Sequence, residues 1–416
     1  MASPVWHPFT QHALQPDATL VARGDGAWLT TQDGRRVLDG ISSWWVVTHG
    51  HRHPAIVAAI KAQADTLDQV IFAGFTHEPA ETLAAQLIAI APQGLSHVFY
   101  SDSGSTSVEV ALKMALGYWR NIGQPRTRIV ALEHGYHGDT IGTMSAGARG
   151  VFNAAYEPFL FDVTRLPFPH AGQEQATLDA LEAACRETPA ALIVEPLILG
   201  AGGMLMYAPD VLSEMARICA AHEVLLIADE VMTGWGRTGK RFACEHAGVT
   251  PDIMCLAKGL TGGSLPLAVT LCKPEIFEAH RSPDRAKTFF HSSSFTANPI
   301  ACAAAVANLH VWETEPVADR IAAVAAMQAA GLAKLAQLPA VKAVRQLGTI
   351  AAADLSVDDP GYLAGLGPRL SASLLDRGVL LRPLGSTVYV MPPYCVTSTE
   401  IEFVYDAIAY AVLSLT

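Results

Sequence analysis

The sequence has few charged residues and no excess of basic ones. Only 16% of its 416 residues are Asp, Glu, Lys or Arg, and the formal net charge at pH 7 is −11. Proteins usually bind nucleic acids and membrane surfaces through basic patches. The acidic charge balance therefore argues against binding to either. The sequence also lacks an apolar run of the roughly 18 residues that a membrane-spanning helix needs. We therefore expect no nucleic-acid partner and no membrane partner.

Paired cysteines are lacking as well. The seven cysteines are scattered without a C-x-x-C pair, which favours buried thiols in the reducing cytoplasm over disulfides or a metal site. The opening segment has no basic stretch followed by an apolar one, so we expect no signal peptide. No G-x-G-x-x-G motif follows the first strand of the predicted sheet, which makes a nicotinamide-dependent enzyme a poor candidate.

The chain is instead rich in apolar residues, arranged as short strands that alternate with helices. Half of the residues are hydrophobic, which is enough for a large core. Helical spacing is found at 105–120 and 210–221. Strands are predicted at 98–100, 128–132, 191–194, 224–228, 253–257 and 267–271. This alternation is typical of an α/β fold, in which helices cover both faces of a mostly parallel sheet.

The pattern changes after about residue 315. A long helix at 317–336 leads to strands at 341–347, 350–355 and 388–391, with a further helix near 368–376. We expect a large domain over residues 51–315 and a smaller α+β domain over residues 316–416. The segment 1–50 is expected to form an arm or short sheet that packs with the smaller domain.

An acid and a lysine end two of the predicted strands. Asp229 follows one apolar run, and Lys258 follows another. Side chains at the carboxyl ends of parallel strands meet at one edge of the sheet. An amine that forms a Schiff base and an acid that keeps a ring nitrogen protonated suit pyridoxal 5′-phosphate (PLP). The sequence therefore predicts a PLP site with Lys258 as the reactive amine.

Two further segments follow strands and fit such a site. Gly104 and Ser105 open a helix whose first backbone N–H groups can bind a phosphate, although an ordinary serine cap explains the same residues. Tyr136 is a candidate for stacking on the cofactor ring, while His137 is interpreted as an ordinary hydrogen-bonded histidine. Asp139 is a candidate for orienting a substrate amine.

Charged residues near these segments are open to two interpretations. Glu195 ends another predicted strand, and it either binds substrate or forms an ion pair, for which Arg237 is the candidate partner. Arg237 lies in a glycine-rich loop and is also a candidate for binding a substrate carboxylate. The run from Ser292 to Ser294 is a second phosphate-binding candidate, although such runs are usually solvated loops.

Together these motifs resemble the class III (ω) aminotransferases of PLP fold type I, over nearly the whole chain. The class-wide part is Ala228–Val231 with Gly236–Gly239, the lysine segment and Tyr136–Gly138. More specific segments resemble those class members that act in biotin synthesis, which transfer an amino group from S-adenosylmethionine to 8-amino-7-oxononanoate. These segments are Trp6–Thr10, Asp39–Trp45, Gly200–Met204, Phe242–Ala247, Arg382–Leu384 and Tyr389–Tyr394.

The resemblance implies a role for each matching position. It implies that Lys258 forms the Schiff base, that Asp229 holds the pyridine nitrogen, that Tyr136 stacks on the ring, and that Gly104 and Ser105 bind the phosphate. Substrate would be bound by residues from several segments: Phe9, Trp44, Asp139, Arg237, Ser292, Arg382 and Tyr389. Among them Trp44 would line the pocket and Arg382 would bind the keto acid's carboxylate.

The resemblance also implies a homodimer with shared active sites. The segment from Ser292 to Ser294 would reach the PLP phosphate of the neighbouring subunit, with Ser293 and Ser294 as the phosphate ligands. The sequence departs from the class pattern at two places. Phe9 stands where known members carry a tyrosine that positions substrate, and His291 to Ser294 reads His-Ser-Ser-Ser where known members often read His-Gly-Pro-Thr.

Several alternatives stay open at this point. Another ω-aminotransferase, with 4-aminobutyrate, ornithine or β-alanine as the donor, fits the class-wide motifs equally well. The biotin-pathway reaction with lysine as the donor fits as well, because the sequence does not decide the amino donor. An aminomutase or decarboxylase on the same fold, and a non-catalytic PLP-binding protein, are weaker alternatives.

Overall fold

The computed structural model describes residues 4–15, 17–357 and 360–415. Its strands, in chain order, are β1 (Val21–Asp25), β2 (Trp28–Thr31), β3 (Arg36–Asp39), β4 (His97–Ser101), β5 (Ile129–Leu132), β6 (Thr164–Leu166), β7 (Ala191–Val194), β8 (Ile198–Leu199), β9 (Leu205–Met206), β10 (Leu225–Asp229), β11 (Ile253–Leu256), β12 (Ala268–Cys272), β13 (Val341–Leu347), β14 (Ile350–Leu355), β15 (Val379–Leu380) and β16 (Thr387–Val390). Its helices are α1 (Ser42–Trp45), α2 (Pro54–Ala64), α3 (Glu78–Ile90), α4 (Gly104–Asn121), α5 (Ile141–Ala146), α6 (Glu174–Cys185), α7 (Pro209–Ala221), α8 (Cys244–Ala247), α9 (Pro274–His280), α10 (Pro299–Thr314), α11 (Val317–Leu335), α12 (Leu366–Asp376) and α13 (Ser398–Leu415). Short 3₁₀ helices occupy Ala154–Phe159, Lys258–Thr261 and Arg285–Lys287.

The central element is a seven-stranded sheet with the order β4-β12-β11-β10-β7-β5-β6. Only β12 runs antiparallel to its two neighbours, so the mostly parallel α/β sheet predicted from the sequence is confirmed. In the β7–β10 pair Val194 lies opposite Ala228. Glu195 and Asp229 therefore follow at the same level at the carboxyl ends of adjacent strands.

Strands in the middle of this sheet are apolar along their whole length because helices cover both faces. Leu225 and Ile227 of β10 pack with the apolar face of α4. The alternate residues Leu226 and Ala228 pack with α6 and α7 on the opposite face. None of the helices in the described part of the chain is long and apolar enough to cross a membrane.

Two smaller sheets involve the ends of the chain. Strands β13, β14 and β16 form an antiparallel sheet. The N-terminal strands β1, β2 and β3 form another sheet, and its fourth strand, β15, comes from the C-terminal part of the chain and pairs with β3 in parallel. The N-terminal segment thus packs with C-terminal residues. The proposed domain limits at residues 50 and 315 stay a prediction.

Candidate active site

A cavity of about 430 Å³ lies at the carboxyl ends of the parallel strands. This volume falls within the range that is usual for small-molecule sites, roughly 300–1,000 Å³. Residues from the strand ends, from the start of α4 and from the loop before β12 line it. They include Trp45, Ser103, Gly104, Ser105, Tyr136, His137, Gly138, Glu195, Asp229, Val231, Met232, Lys258 and the segment 263–267.

Lys258 follows β11 directly and opens a tight 3₁₀ turn. Burial lowers the pKa of its amine from 10.5 to about 8, although the carboxylates of Asp229 and Glu195 act in the opposite direction. Its Nζ lies 4.5 Å from the centroid of the Trp45 ring. A buried amine of this kind is partly neutral near neutral pH, which makes it a nucleophile and a proton acceptor.

Asp229 is the last residue of β10 and is 4% exposed. One carboxylate oxygen lies 2.8 Å from Nδ1 of the buried His137, and the other accepts the N–H of Val231 at 3.2 Å. The hydrogen-bonded role that the sequence favoured for His137 therefore matches the geometry. Its partner is the acid of the candidate site.

Glu195 lies beside Asp229 because the two residues follow paired positions on β7 and β10. Its two carboxylate oxygens accept backbone N–H groups, from Tyr136 at 2.9 Å and from Gly200 at 2.9 Å. Burial raises the pKa of this carboxyl from 4.5 to about 7, and the neighbouring Asp229 adds to the rise. Both hydrogen bonds come from neutral backbone groups, so ionisation of this buried carboxyl is costly, and such groups concentrate at functional sites.

The alternative ion pair between Glu195 and Arg237 is wrong for the described residues, because the carboxylate of Glu195 accepts backbone N–H groups instead. Arg237 is 1% exposed and donates to three backbone carbonyls, those of Trp45, Val47 and Pro392, at 2.8–3.3 Å. Its guanidinium thus joins the segment before α2 to the segment after β16. The side chain is buried and is not among the residues that line the cavity, so its binding of a substrate carboxylate stays a prediction.

The start of α4 faces the cavity with its first backbone N–H groups. Ser103 caps the helix by accepting the N–H of Thr106, while the Thr106 hydroxyl accepts the N–H of Ser103. The serine-cap interpretation is therefore correct for Ser103. The N–H groups of Gly104 and Ser105 belong to the first turn, where they have no acceptor within the helix.

Two glycines let this helix start approach its neighbours. A Cβ on Gly104 would lie 2.7 Å from Val231, and one on Gly138, whose φ is +133°, would lie within 3 Å of three atoms of Ser105. A larger residue at either position would push the first turn of α4 away from the strand ends. The Gly138 contact thus ties the Tyr136 loop to the predicted phosphate position.

Tyr136 is a partly buried residue of the cavity wall. Burial raises the pKa of its phenol, and the neighbouring Asp139 carboxylate raises it further, so the hydroxyl stays protonated. Asp139 itself is exposed, and its N–H donates to the Ser105 hydroxyl at 3.3 Å. Tyr136 and Asp139 also border a smaller adjoining cavity of about 200 Å³.

The two tryptophans of the specific motif lie in a left-handed turn. All four residues of Ser42–Trp45 have a positive φ, between +46° and +78°, a conformation that side chains other than glycine disfavour. The buried carboxylate of Asp39 supports this turn, since it accepts the N–H and the hydroxyl of Ser43. The turn directs Trp45 to Lys258 and leaves Trp44 39% exposed.

Trp44, Phe9 and Arg382 lie together as an exposed wall, which adjoins the cavity through Trp45, the chain neighbour of Trp44. The rings of Phe9 and Trp44 are 5.4 Å apart, and the Arg382 guanidinium lies 5.1 Å from the Trp44 ring centroid. Arg382 also donates to the Phe9 carbonyl at 3.1 Å. The structure thus brings together three predicted substrate residues from both ends of the chain.

Other predicted site residues lie elsewhere. Tyr389 is 2% exposed and its hydroxyl accepts the indole N–H of Trp45 at 3.0 Å, so it supports Trp45 from behind and does not line the cavity. Ser292, Ser293 and Ser294 are not among the residues that line this cavity. Their loop is instead held by Gln69, whose side chain donates to the Ser294 carbonyl at 2.6 Å.

Sequence reasoning missed some residues of the site. It assigned no role to Trp45, Val231 or Asp39. The signal for Val231 was available, since it follows Asp229 by two positions at the same strand end. Asp39 stabilises a turn of residues that rarely adopt a positive φ. No local sequence pattern predicts such a turn.

Comparison with known proteins places the chain in a family. The family model for class III aminotransferases matches residues 10–412. The adenosylmethionine-8-amino-7-oxononanoate aminotransferase of Synechococcus elongatus is 51% identical, over 97% of each chain. The protein of the same name from Mycobacterium leprae is 43% identical, over 98% of this chain and 94% of that protein.

Solved structures agree with this assignment. The adenosylmethionine-8-amino-7-oxononanoate aminotransferase of Methanocaldococcus jannaschii superposes with a TM-score of 0.95 at 34% identity, covering 99% of this chain and 97% of the other. An amine transaminase of an uncultivated Pseudomonas species, solved in its PLP-bound form, has a TM-score of 0.94 at 34% identity, covering 100% and 99%. The chain belongs to the class III aminotransferases.

Proposed function

We propose that this chain transfers the amino group of S-adenosylmethionine to 8-amino-7-oxononanoate, giving 7,8-diaminononanoate, a step of biotin synthesis. The observation that carries the proposal is the wall of Trp44, Phe9 and Arg382 beside a cavity that ends at Lys258. Relatives named for this pair of substrates, aligned over nearly their whole length, support it.

Class III aminotransferases use PLP, which binds an amino group and stabilises the electron pair left when a neighbouring proton is removed. The residues of the cavity fit this group. Gly104 and Ser105 would bind its phosphate with first-turn N–H groups, where the helix dipole favours an anion. Tyr136 would stack on its ring, and Lys258 would bind it covalently.

Asp229 would hold the ring nitrogen of the cofactor. The carboxylate is buried, so its charge is weakly screened and acts strongly on a nearby N–H. His137, 2.8 Å away, fixes the orientation of this carboxylate. The free oxygen lone pairs of Asp229 would then be directed to the cofactor.

Lys258 would also move the proton of the transfer step. Because burial lowers the pKa of its amine to about 8, a substantial fraction of the amine is neutral near pH 7.5 and can accept a proton. In this scheme Nζ, once substrate has displaced it from the cofactor, would take the proton from the substrate carbon that bears the amino group and would deliver it to the cofactor carbon that receives the amino group. The Trp45 ring, 4.5 Å from Nζ, limits water on one side of the amine.

The exposed wall would select the substrates. Arg382 is the one predicted cation of this wall, and its guanidinium suits the keto acid's carboxylate. Trp44 and Phe9 would cover the aliphatic chain of the keto acid, and Asp139, at the edge of the adjoining cavity, would orient a substrate amine. The same Trp44 face suits the sulfonium of S-adenosylmethionine, because aromatic rings attract cations.

We further propose a homodimer in which Ser292, Ser293 and Ser294 complete the partner's site. Large apolar side chains near this loop are strongly exposed in the single chain: Ile71, Phe75, Phe290 and Phe295 are 61–70% exposed. Exposed apolar residues that adjoin one another are typical of an interface. The free cysteines, six of which are buried, support a reducing compartment such as the cytoplasm.

An absorbance titration of the PLP-loaded protein tests the amino donor. S-adenosylmethionine, lysine and 4-aminobutyrate are added separately while the band of the Lys258-bound cofactor is followed. We expect S-adenosylmethionine to remove the band and 8-amino-7-oxononanoate to restore it. A response to lysine alone would keep the pathway and change the donor. A response to 4-aminobutyrate alone would contradict the proposal.

A further inference from the structure

The backbone turn that carries Lys258 has a disfavoured conformation. Lys258 has a φ of +48°, in the left-handed region, where a side chain crowds its own backbone. Such conformations persist only when surrounding contacts hold them. The contacts that hold this turn therefore decide where the Lys258 amine lies.

Asn308 of α10 makes those contacts from outside the cavity. Its side-chain N–H₂ donates to the carbonyls of Gly259 and Leu260, at 3.1 and 3.0 Å. Both carbonyls belong to the 3₁₀ turn that begins at Lys258. Asn308 is fully buried, so water cannot replace these bonds if they are lost.

His49 fixes the orientation of the Asn308 amide. Its Nε2 lies 2.9 Å from the amide oxygen of Asn308. Burial lowers the pKa of His49 to about 4, so the ring is neutral at physiological pH. Since the amide nitrogen of Asn308 already serves two carbonyls, the neutral ring must carry its proton on Nε2 and donate it.

Close packing leaves the turn little room to rearrange. A Cβ on Gly259 would lie 2.8 Å from Trp235 and 2.9 Å from Thr48. A Cβ on Gly263 would lie 2.6 Å from the Val46 carbonyl. The turn is thus enclosed between neighbouring segments, and its polar carbonyls are satisfied by Asn308.

We propose that Asn308, oriented by His49, is a positioning residue that holds the turn after Lys258 and so directs the Lys258 amine into the cavity. The inference rests on the proposed function for the importance of that amine. Asn308 touches neither substrate nor cofactor. It acts on the Lys258 amine through the backbone of residues 258–261.

The test compares Asn308→Asp with a matched variant elsewhere in the chain. Gln328 is also fully buried; its amide nitrogen donates to the carbonyls of Thr349 and Val390, and its oxygen accepts the Tyr405 hydroxyl. Gln328→Glu therefore removes the same kind of amide donor without touching the Lys258 turn. If Asn308→Asp does not fold, Asn308→Ser, which keeps one donor, takes its place.

Four measurements on the PLP-loaded protein distinguish a positioning role of Asn308 from a general effect on stability. Both variants are expected to lower the melting temperature. Only the Asn308 variant should speed hydrogen exchange of the amides in 258–262 by about ten-fold or more, given what a buried hydrogen bond contributes. Only this variant should shift the pH midpoint of the cofactor absorbance and lower kcat by about ten-fold with little change in KM.

The inference would be overturned if the two variants had equal rates of amide hydrogen exchange at residues 258–262 and equal pH midpoints of the cofactor absorbance. The exchange comparison needs no turnover, so it also decides the inference if the proposed function fails. Failure of the proposed function would be recognised in the unaltered protein, as a Lys258-dependent absorbance band that S-adenosylmethionine does not remove. The two failures are therefore distinguishable.

Discussion

Replacing Glu195 by glutamine should change how stability depends on pH. Burial raises the pKa of this carboxyl from 4.5 to about 7 in the folded chain. Between these values the folded state holds a proton that the unfolded state has lost. The carboxyl therefore stabilises the fold relative to the unfolded chain at low pH, and this contribution is lost as the pH rises through about 7.

The magnitude follows from the two pKa values. A rise from 4.5 to about 7 corresponds to about 3 kcal/mol between the protonation states. Most of it, about 2–3 kcal/mol, is lost between about pH 5 and pH 8. Glutamine does not titrate. The carboxylate of Glu195 accepts the backbone N–H groups of Tyr136 and Gly200, and the NH₂ group of a glutamine would face one of these two donors. That mismatch costs about 1–3 kcal/mol at every pH.

Denaturant unfolding of the PLP-free chains at equal protomer concentration measures the effect. The free energy of unfolding of the unaltered chain, minus that of Glu195→Gln, should fall by about 2–3 kcal/mol from pH 5 to pH 8. The cofactor is left out because its binding is itself linked to pH. Two curves that stay parallel over this range would refute the reasoning, since Glu195 would then titrate alike in the folded and unfolded chains.

The other predictions concern the proposed reaction. Lys258→Ala should abolish turnover and the band of the bound cofactor, and near-normal turnover would contradict the scheme. In the PLP-free chain the reaction of Lys258 with an amine-modifying reagent should rise with a midpoint near pH 8, because burial lowers the pKa of this amine; a midpoint near that of surface lysines would be against it. Arg382→Gln should raise KM for 8-amino-7-oxononanoate about ten-fold or more, through loss of a charge-assisted hydrogen bond; an unchanged KM for this keto acid would remove Arg382 from carboxylate binding. Phe9→Tyr should lower KM for one substrate by several-fold through one added hydrogen bond, with an unchanged melting temperature, and unaltered kinetics would mean that the hydroxyl is not needed. Mixing Lys258→Ala chains with chains carrying alanine at Ser292, Ser293 and Ser294 should restore activity if sites are shared, because each mixed dimer then has one intact site; no gain would contradict sharing.

The central sheet was predictable because its strands are short, apolar and separated by clear helices. The strand predicted at 191–194 in the central sheet has the same bounds in the structure, and so have those predicted at 341–347 and 350–355 in a smaller sheet. The meeting of Asp229 and Lys258 followed from parallel pairing, because β10 and β11 are neighbours whose carboxyl ends share one edge. Local patterns were sufficient for these features, since each depends on one strand and its immediate connection.

The ion pair predicted as one alternative for Arg237 was wrong because the contacts of Arg237 depend on residues far away in the sequence. An arginine in a glycine-rich loop is usually free to bind an anion, but here three carbonyls from Trp45, Val47 and Pro392 enclose it. The left-handed turn at Ser42–Trp45 could not be predicted from the local sequence either. None of its residues is glycine, so no propensity indicates positive φ. The support comes from Asp39, four residues before Ser43, and from the distant Met391 carbonyl, which accepts the Ser42 hydroxyl.

Transfer of labelled nitrogen tests the central claim most directly. The PLP-loaded protein is incubated with S-adenosylmethionine carrying an isotope label on its amino nitrogen, together with 8-amino-7-oxononanoate, and the product is analysed by mass spectrometry. The account predicts 7,8-diaminononanoate with one labelled nitrogen, and none from Lys258→Ala. Unlabelled 8-amino-7-oxononanoate recovered unchanged, or product formed only with labelled lysine or 4-aminobutyrate as donor, would contradict it.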